Sequence, residues 1–218
     1  MKSQTLSRLF ALCLLAAASG SAMAHSGAHS DEHAGHQAPP AHAEKTQVRF
    51  ADVSLLDQHG MPVRLEQDLV GDKLVVMGFI YTRCTTVCPV VSSIMGKVQQ
   101  QLGGRVGSEV QLVSLSVDPQ RDDPQRLLGY SRTFQQGPGW SWLTGSPYAV
   151  SETLKGLGSW SPDLNNHPPL ILVGDGHSGH WTRFYGFTDP NVLVAEINRL
   201  SARRVHAKHT AIAQEQQP

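Results

Sequence analysis

The sequence has no excess of charge of either sign, few cysteines and no apolar run long enough to cross a membrane. Lys+Arg and Asp+Glu both number 18 among 218 residues, so the composition does not favour binding to nucleic acid or to an anionic membrane surface. The apolar run Leu9–Ala18 is too short to span a bilayer. A chain of this length can bury one good core, and we expect one folded domain.

Residues 1–24 have the pattern of a secretory signal peptide. Lys2 and Arg8 give a positively charged start, an apolar run follows, and a small-x-small cleavage site ends at Ala24. We therefore predict cleavage before His25, export to a bacterial periplasm, and a mature form without a membrane span. Retention of the uncleaved segment as an anchor is the alternative.

Residues 25–46 contain almost no large apolar side chains, so we expect this segment to be disordered. Its histidines could collect a late first-row metal, because neutral imidazole binds Cu(II), Zn and Ni. A solvated tether without a physiological role in metal binding is the alternative. The histidines are His25, His29, His33, His36 and His42.

Strand and helix patterns alternate through residues 47–205, after an N-terminal hairpin whose turn includes Gly60. This ordering predicts an α/β domain with a mainly parallel or mixed sheet flanked by helices, consistent with a thioredoxin-like fold. A polar, frayed tail is expected at 206–218. The predicted strands are 74–81, 110–117, 140–143, 168–173 and 181–187, and the predicted helices are 89–102, 124–134, 147–157 and 190–204.

Cys84 and Cys88 lie where the first strand of this sheet ends and a helix begins, since Pro89 suits the first turn of a helix. Positions i and i+4 share a helix face, and the helix N-terminus favours a thiolate. The two cysteines close too small a loop to stabilise a fold. We interpret them as redox-active or metal-binding, with a plain disulfide as the alternative. Cys13 lies within the predicted signal peptide.

Three motifs in this order resemble the Sco/SenC family of copper-handling proteins: FIYTRCTTVCP, LSVDPQRDDP and NHPPLILVGDG. The resemblance covers roughly residues 47–200. It implies a thioredoxin-like fold in which a Cys-x-x-x-Cys pair and one distant histidine bind a single copper ion. On this chain the pair falls on Cys84 and Cys88, and the histidine falls on His167. Asp118 matches a family aspartate near the site, and we assign it no ligand role.

The resemblance implies a copper metallochaperone that assists maturation of the binuclear copper centre of cytochrome c oxidase, as copper donor, as thiol reductant, or both. Its partners would be the copper-bearing oxidase subunit or another copper-accepting protein, together with other periplasmic copper chaperones or thiol reductants. Two thiolates and one imidazole form a trigonal set that suits Cu(I), and also Cu(II) when a weak further ligand is available. Zinc accepts the same donors, but a structural zinc site normally takes four ligands and this set has three.

Other interpretations use the same residues differently. A thiol-disulfide oxidoreductase acting on exported proteins would use one cysteine as the nucleophile and the other to resolve the mixed disulfide. A peroxidase of the peroxiredoxin type relies on a Thr-x-x-Cys arrangement, and Tyr81 occupies the position of that threonine. His167 could also be an ordinary loop histidine, and Asp118 could be a cap or turn former or, alternatively, a proton carrier.

Overall fold

A six-stranded mixed sheet organises residues 42–164 and 167–215, the part of the chain that the computed structural model describes. The strands are β1 (His42–Thr46), β2 (Leu55–Leu56), β3 (Pro62–Val63), β4 (Leu74–Ile80), β5 (Val110–Ser116), β6 (Trp140–Leu143), β7 (Leu170–Asp175) and β8 (His180–Tyr185). The α-helices are α1 (Val87–Leu102), α2 (Pro124–Arg132), α3 (Pro147–Leu157) and α4 (Pro190–Glu215). A π-helix at Leu65–Val70 and a 3-10 helix at Gly103–Arg105 complete the elements named here.

The sheet has the strand order β1-β8-β7-β4-β5-β6, so β4 lies inside it. β4 pairs in parallel with β5 and antiparallel with β7, and β5 pairs in parallel with β6. Every residue of β4 and β5 is buried, as expected for strands with both faces covered. The predicted α/β architecture with a mixed sheet is confirmed.

Two hydrophobic clusters lie on opposite faces of β4, because successive side chains of a strand alternate between the faces. Ile80 and its alternate neighbours in β4 join the cluster that contains residues of α1 and α4. Phe79 and its alternate neighbours join the cluster that contains residues of α3. Gly78 lets α1 approach closely, since a Cβ there would lie 3.3 Å from a methyl carbon of Val91.

The predicted N-terminal hairpin is confirmed by the short strands β2 and β3, in which Leu55 pairs with Val63. Gly60 in its turn has φ 80°, a conformation that glycine adopts without strain. No helix among residues 42–164 and 167–215 is both long and apolar enough to cross a membrane.

The predicted disorder of residues 25–46 is wrong at its C-terminal end, because His42–Thr46 form β1 at the edge of the sheet. β1 pairs with β8, which supplies backbone hydrogen bonds that need no apolar side chains. Glu44 accepts hydrogen bonds from Arg183 and Tyr185, and the ring of His42 stacks on that of Tyr185 at 4.5 Å. The predicted signal peptide and the other histidines of this segment lie outside the described residues.

The predicted frayed tail is also wrong for most of its length, since α4 continues to Glu215. The sequence beyond Val205 contains alanine, lysine and glutamine, which favour helix, and it has no glycine or proline before Pro218. Residues 206–214 are exposed, and residues 216–218 lie outside the described part of the chain.

Candidate metal and redox site

Cys84 occupies a tight turn between the end of β4 and the start of α1. The turn is closed by a hydrogen bond of 3.2 Å from the Cys84 amide to the Tyr81 carbonyl. The predicted position at the strand-to-helix junction is confirmed, although α1 begins at Val87, two residues before Pro89.

The start of α1 lacks the side-chain oxygen that caps the other two helices that follow strands of the parallel part of the sheet. Asp123 caps α2 and Ser146 caps α3, whereas the N-cap residue of α1, Thr86, makes no side-chain cap hydrogen bond. Instead, the Cys88 amide donates to the Cys84 Sγ at 3.3 Å. The sulfur of Cys84 therefore satisfies one of the N–H groups that a helix start leaves without an internal partner.

The pKa of Cys84 reflects two opposing effects. Burial raises it, but hydrogen bonds from the Cys88 side chain and from the amides of Cys88, Thr86 and Val87 outweigh burial and lower it to about 7. Donors at a helix N-terminus stabilise a thiolate more than a thiol. Cys84 therefore has substantial thiolate character at neutral pH.

Cys88 has the opposite character, although both side chains are buried and neither is in a disulfide. Burial raises the pKa of Cys88 well above the usual range for a thiol, and the hydrogen bond to Cys84 raises it further. Cys88 therefore keeps its proton and donates it toward the Cys84 sulfur. The pair thus combines one reactive thiolate with one protonated partner.

A buried carboxylate anchors this turn through hydrogen bonds. Asp122 is 2% exposed and accepts hydrogen bonds from the Thr82 amide at 3.1 Å, the Thr82 hydroxyl at 2.5 Å and the Ser116 hydroxyl at 2.6 Å. Thr82 belongs to the cysteine turn, and Ser116 is the last residue of β5. Asp122 was not predicted as a site residue, because the sequence marks it only as one of several acidic residues in one loop.

Asp118 is a turn former, as one of the two predicted interpretations held. Its carbonyl accepts hydrogen bonds from the amides of Arg121 and Asp122, and its carboxylate pairs with Arg121 at 3.2 Å. Asp118 also lines a cavity of about 310 Å³ beside the cysteine turn. The other lining residues are Tyr81, Arg83, Arg121 and Leu164.

His167 lies in the loop between α3 and β7, and its ring is turned toward that loop. Its Nε2 lies 3.2 Å from the hydroxyl and 3.3 Å from the carbonyl of Ser159, and its ring centroid lies 6.3 Å from that of Phe79. Phe79 belongs to the α3 side of the sheet, whereas both cysteines belong to the α1 side. Burial lowers the pKa of His167, so the imidazole is neutral at neutral pH.

The structure therefore brings Cys84 and Cys88 together but does not bring His167 to them. Within residues 42–164 and 167–215, no group of three or more His, Cys, Asp or Glu side chains is arranged to hold a metal ion. Residues 165 and 166, directly before the histidine, lie outside the described residues. The three-ligand set stays a prediction that requires a different arrangement of the His167 loop.

The residues of this site lie within the part of the chain that matches known proteins. The sequence model of the SCO1/SenC family matches residues 41–201. The SCO1 protein homolog of Bacillus subtilis is 34% identical over 97 residues, which are 44% of this chain and 48% of that relative. The mitochondrial SCO2 homolog of Homo sapiens is 35% identical over 106 residues, which are 48% of this chain and 38% of that relative. The chain thus spans about half the length, or less, of these curated relatives.

Solved structures share the fold. ScoI of Bradyrhizobium japonicum, solved with copper bound, is 25% identical and superposes with a TM-score of 0.57, covering 69% of this chain and 98% of that one. The predicted thioredoxin-like fold is confirmed by such neighbours. The family match takes in Cys84, Cys88 and His167, and the chain belongs to the SCO1/SenC family.

Proposed function

We propose that this protein is a periplasmic copper chaperone that binds one copper ion through Cys84, Cys88 and His167. It would deliver copper to the binuclear copper site of cytochrome c oxidase, reduce the thiols of that site, or do both. The recipient would be the copper-bearing oxidase subunit or another copper-accepting protein. Other periplasmic copper chaperones or thiol reductants would load or reduce the site.

The observation that carries this proposal is the free thiol pair at the start of α1 in a chain of this family. Two sulfur donors at i and i+4 suit a soft ion such as Cu(I). The thiolate character of Cys84 supplies a ready first ligand, since a metal binds the deprotonated sulfur. A relative with copper bound, ScoI of Bradyrhizobium japonicum, supports the choice of metal.

His167 fits the third position by its chemistry, because its neutral imidazole can bind copper without first losing a proton. Its position in the structure does not yet serve that purpose, since Nε2 faces Ser159. Loading with copper would therefore require the ring to leave Ser159 and cross toward the cysteine turn. An open three-coordinate site would also let a recipient thiolate or imidazole enter during transfer.

Copper titration of the reduced protein under anaerobic conditions tests this proposal. We expect one tightly bound ion in the wild type, with sulfur-to-copper charge-transfer bands after addition of Cu(II). A His167→Ala variant should lose much of the affinity. His59→Ala is the matched control, since His59 lies in the exposed turn of the N-terminal hairpin and should change nothing. Equal affinities of the His167→Ala variant and the wild type would contradict the ligand set.

Thiol-disulfide exchange is the second candidate, and the unequal pKa values of the two cysteines favour it. The Cys84 thiolate would attack a disulfide of the client, and one client sulfur would leave as a thiolate. Cys88 would then displace the second client sulfur, so that the client gains two electrons and the Cys84–Cys88 pair is oxidised to a disulfide. An external thiol reductant would restore the dithiol.

A substitution at His167 distinguishes the two candidate functions, copper delivery and thiol-disulfide exchange. The His167→Ala variant should retain the rate of disulfide exchange with a model disulfide while losing copper affinity. If both activities fall equally, this division of roles between His167 and the cysteines is wrong.

The proposed location rests on the N-terminal sequence and is tested separately. Mass spectrometry of the exported protein should find His25 as the first residue. A first residue earlier than Gly20 would contradict the predicted cleavage site and favour the retained anchor.

A further inference from the structure

The cavity of about 310 Å³ beside the cysteine turn is lined by three segments that are distant in sequence. Tyr81 and Arg83 belong to the cysteine turn, Asp118 and Arg121 to the loop between β5 and α2, and Leu164 to the loop between α3 and β7. A disulfide that reacts at the cysteine turn would bring its neighbouring groups to this space. The chemistry of the lining residues therefore bears on which disulfides can react.

Tyr81 connects the cavity to the Cys84 sulfur. Its carbonyl accepts the hydrogen bond of 3.2 Å from the Cys84 amide, and its side chain lines the cavity. Burial raises the pKa of Tyr81 to about 12, and the charge of Cys84 and a hydrogen bond to it add to the rise, as expected for neighbouring side chains. Arg83 directly precedes Cys84 in the sequence. A group that binds in the cavity therefore lies next to the reactive sulfur.

Arg121 has donors to spare, although it already pairs with Asp118. Its Nη1 lies 3.2 Å and 3.3 Å from the two carboxylate oxygens of Asp118, which is buried. Its Nε and Nη2 have no partner among residues 42–164 and 167–215, and its side chain is 50% exposed. Because a guanidinium carries five N–H donors, Arg121 can bind a second carboxylate without releasing Asp118.

Arg83 leaves the cavity with a net positive charge. Its side chain is exposed and makes no ion pair or hydrogen bond with any residue in the described part of the chain. Asp118 is the single acidic residue of the lining, and Arg121 compensates its charge. The planar fork of a guanidinium matches the geometry of a carboxylate. The lining thus offers two guanidinium groups and one uncompensated charge to a ligand.

We propose that this cavity is a subsite for a carboxylate carried by the disulfide that reacts at Cys84, with Arg83 and Arg121 as the residues that bind it. The inference deepens the thiol-disulfide exchange proposed above and rests on it. The carboxylate belongs to an Asp or Glu side chain next to the reactive cysteine of a client protein. Binding of this side chain holds the client disulfide beside Cys84 and selects acidic clients over neutral or basic ones.

The test uses three peptides of one sequence, each joined to its own copy by one disulfide, with Glu, Gln or Lys next to the cysteine. In each reaction the Cys84 sulfur attacks one peptide sulfur and the other peptide leaves as a thiolate. Cys88 then displaces the first peptide, so that the disulfide gains two electrons and the Cys84–Cys88 pair is oxidised. Stopped-flow measurement with the reduced full chain gives the rate constant for each peptide in a single turnover.

We expect the wild type to react about tenfold faster with the Glu peptide than with the Gln peptide, because charge-assisted hydrogen bonds hold the carboxylate. Arg83→Gln and Arg121→Gln should each lose most of this preference. The ratio of the two rate constants is the measured quantity, since it cancels any change in the reactivity of Cys84 itself. Arg83→Glu should favour the Lys peptide, and added salt should weaken the preference of the wild type.

Arg64→Gln is the matched control, because Arg64 is also 50% exposed and paired with one carboxylate, that of Asp52, but does not line the cavity. It should keep the wild-type ratio. Arg83→Gln decides the test if Arg121→Gln fails to fold, since Arg83 has no partner in the described structure to lose.

A wild type that reacts equally with the Glu and Gln peptides would overturn the inference and leave thiol-disulfide exchange intact. An Arg83→Gln variant that keeps the wild-type ratio would do the same. A wild type that reacts with none of the three peptides would refute the exchange function together with the inference.

Discussion

The cysteine turn and the His167 loop contribute to the same candidate site, but they differ in how their conformation is held. The cysteine turn is fixed at two points, by the hydrogen bond from the Cys88 amide to the Cys84 sulfur and by the buried Asp122 on Thr82. The His167 ring is held by the hydroxyl and carbonyl of Ser159, and the His167 amide donates to the Leu164 carbonyl of its own loop at 3.4 Å. The cysteine half of the proposed site is thus already formed, whereas the His167 half would have to rearrange to bind the same ion.

The difference has a functional consequence. The proposed copper chaperone would have to bind its cargo selectively and then release it, and a preformed pair of sulfur ligands with a third ligand that must be repositioned would suit both needs. If His167 is the third ligand, the arrangement seen in the metal-free structure would compete with the copper-binding one. The strength of the Ser159 contact would then set part of the apparent copper affinity.

The strongest test of the comparison removes the support of the cysteine turn. Asp122→Ala leaves the Thr82 amide and hydroxyl and the Ser116 hydroxyl without their acceptor. We expect the free energy of unfolding to fall by about 3 kcal/mol, the usual penalty for leaving several buried donors unpaired. Urea unfolding measures this change.

Asp123→Ala is the control for that variant, because Asp123 is adjacent in sequence but caps α2 from the surface. Loss of this cap should lower stability by only about 1 kcal/mol. Equal losses in the two variants would show that Asp122 gives the turn no special support.

A second test concerns the pH dependence of the cysteine turn. Folding lowers the pKa of Cys84 to about 7, below that of an unfolded thiol. Its contribution to stability is therefore complete above the unfolded pKa, at about pH 9, and is lost as the pH falls through 7. Relative to Cys84→Ser, the wild type should gain stability between pH 6 and about pH 9. The raised pKa of Cys88 acts in the opposite direction above that range.

Alkylation provides an independent measurement of the same property. The rate of modification at Cys84, located by mass spectrometry, should rise with pH and reach half its maximum near pH 7, where its pKa lies. Cys88 should remain nearly unreactive. A midpoint in the ordinary thiol range for Cys84 would mean that the start of α1 does not stabilise its thiolate.

The smallest expected effect comes from loosening the His167 loop. Ser159→Ala removes the hydroxyl that holds the imidazole but leaves the backbone carbonyl in place. Loss of one neutral hydrogen bond, about 1 kcal/mol, should raise copper affinity about fivefold by disfavouring the metal-free arrangement. Isothermal titration with a competing chelator resolves a change of this size.

Ser161→Ala serves as the control for the loop. Ser161 lies two residues away, and its hydroxyl donates to the carbonyl and accepts from the amide of Asp163 within the same loop. It should leave copper affinity unchanged. A decrease in affinity for Ser159→Ala would show that Ser159 supports the copper-bound form and not the metal-free one.

The sequence was a good guide to the cysteine half of the site because the signals there are local. An apolar strand, a short polar turn and Pro89 place Cys84 and Cys88 at a helix start within a single stretch of chain. The thiolate character of Cys84 follows from that placement, because the donors are amides of the next few residues. The central strands and the helices were predictable for the same reason.

The remaining features depend on residues that are distant in sequence. Asp118, Asp122 and Asp123 look alike in the loop, and only the approach of Thr82 selects Asp122 as the buried acceptor. The orientation of His167 depends on where α3 places Ser159. β1 forms because β8 offers a free edge far along the chain, although His42–Thr46 contain no pattern of a buried strand.

The sulfur of Cys84 already accepts a hydrogen bond from the backbone before any ligand binds, because the Cys88 amide in the first turn of α1 donates to it. A metal ion or a second sulfur that binds there must share the lone pairs of this sulfur with the helix. The occupancy of the site and the integrity of the first turn of α1 are therefore coupled. Metal binding or oxidation at this atom would therefore weaken or reorient the hydrogen bond that the first turn of α1 makes to it.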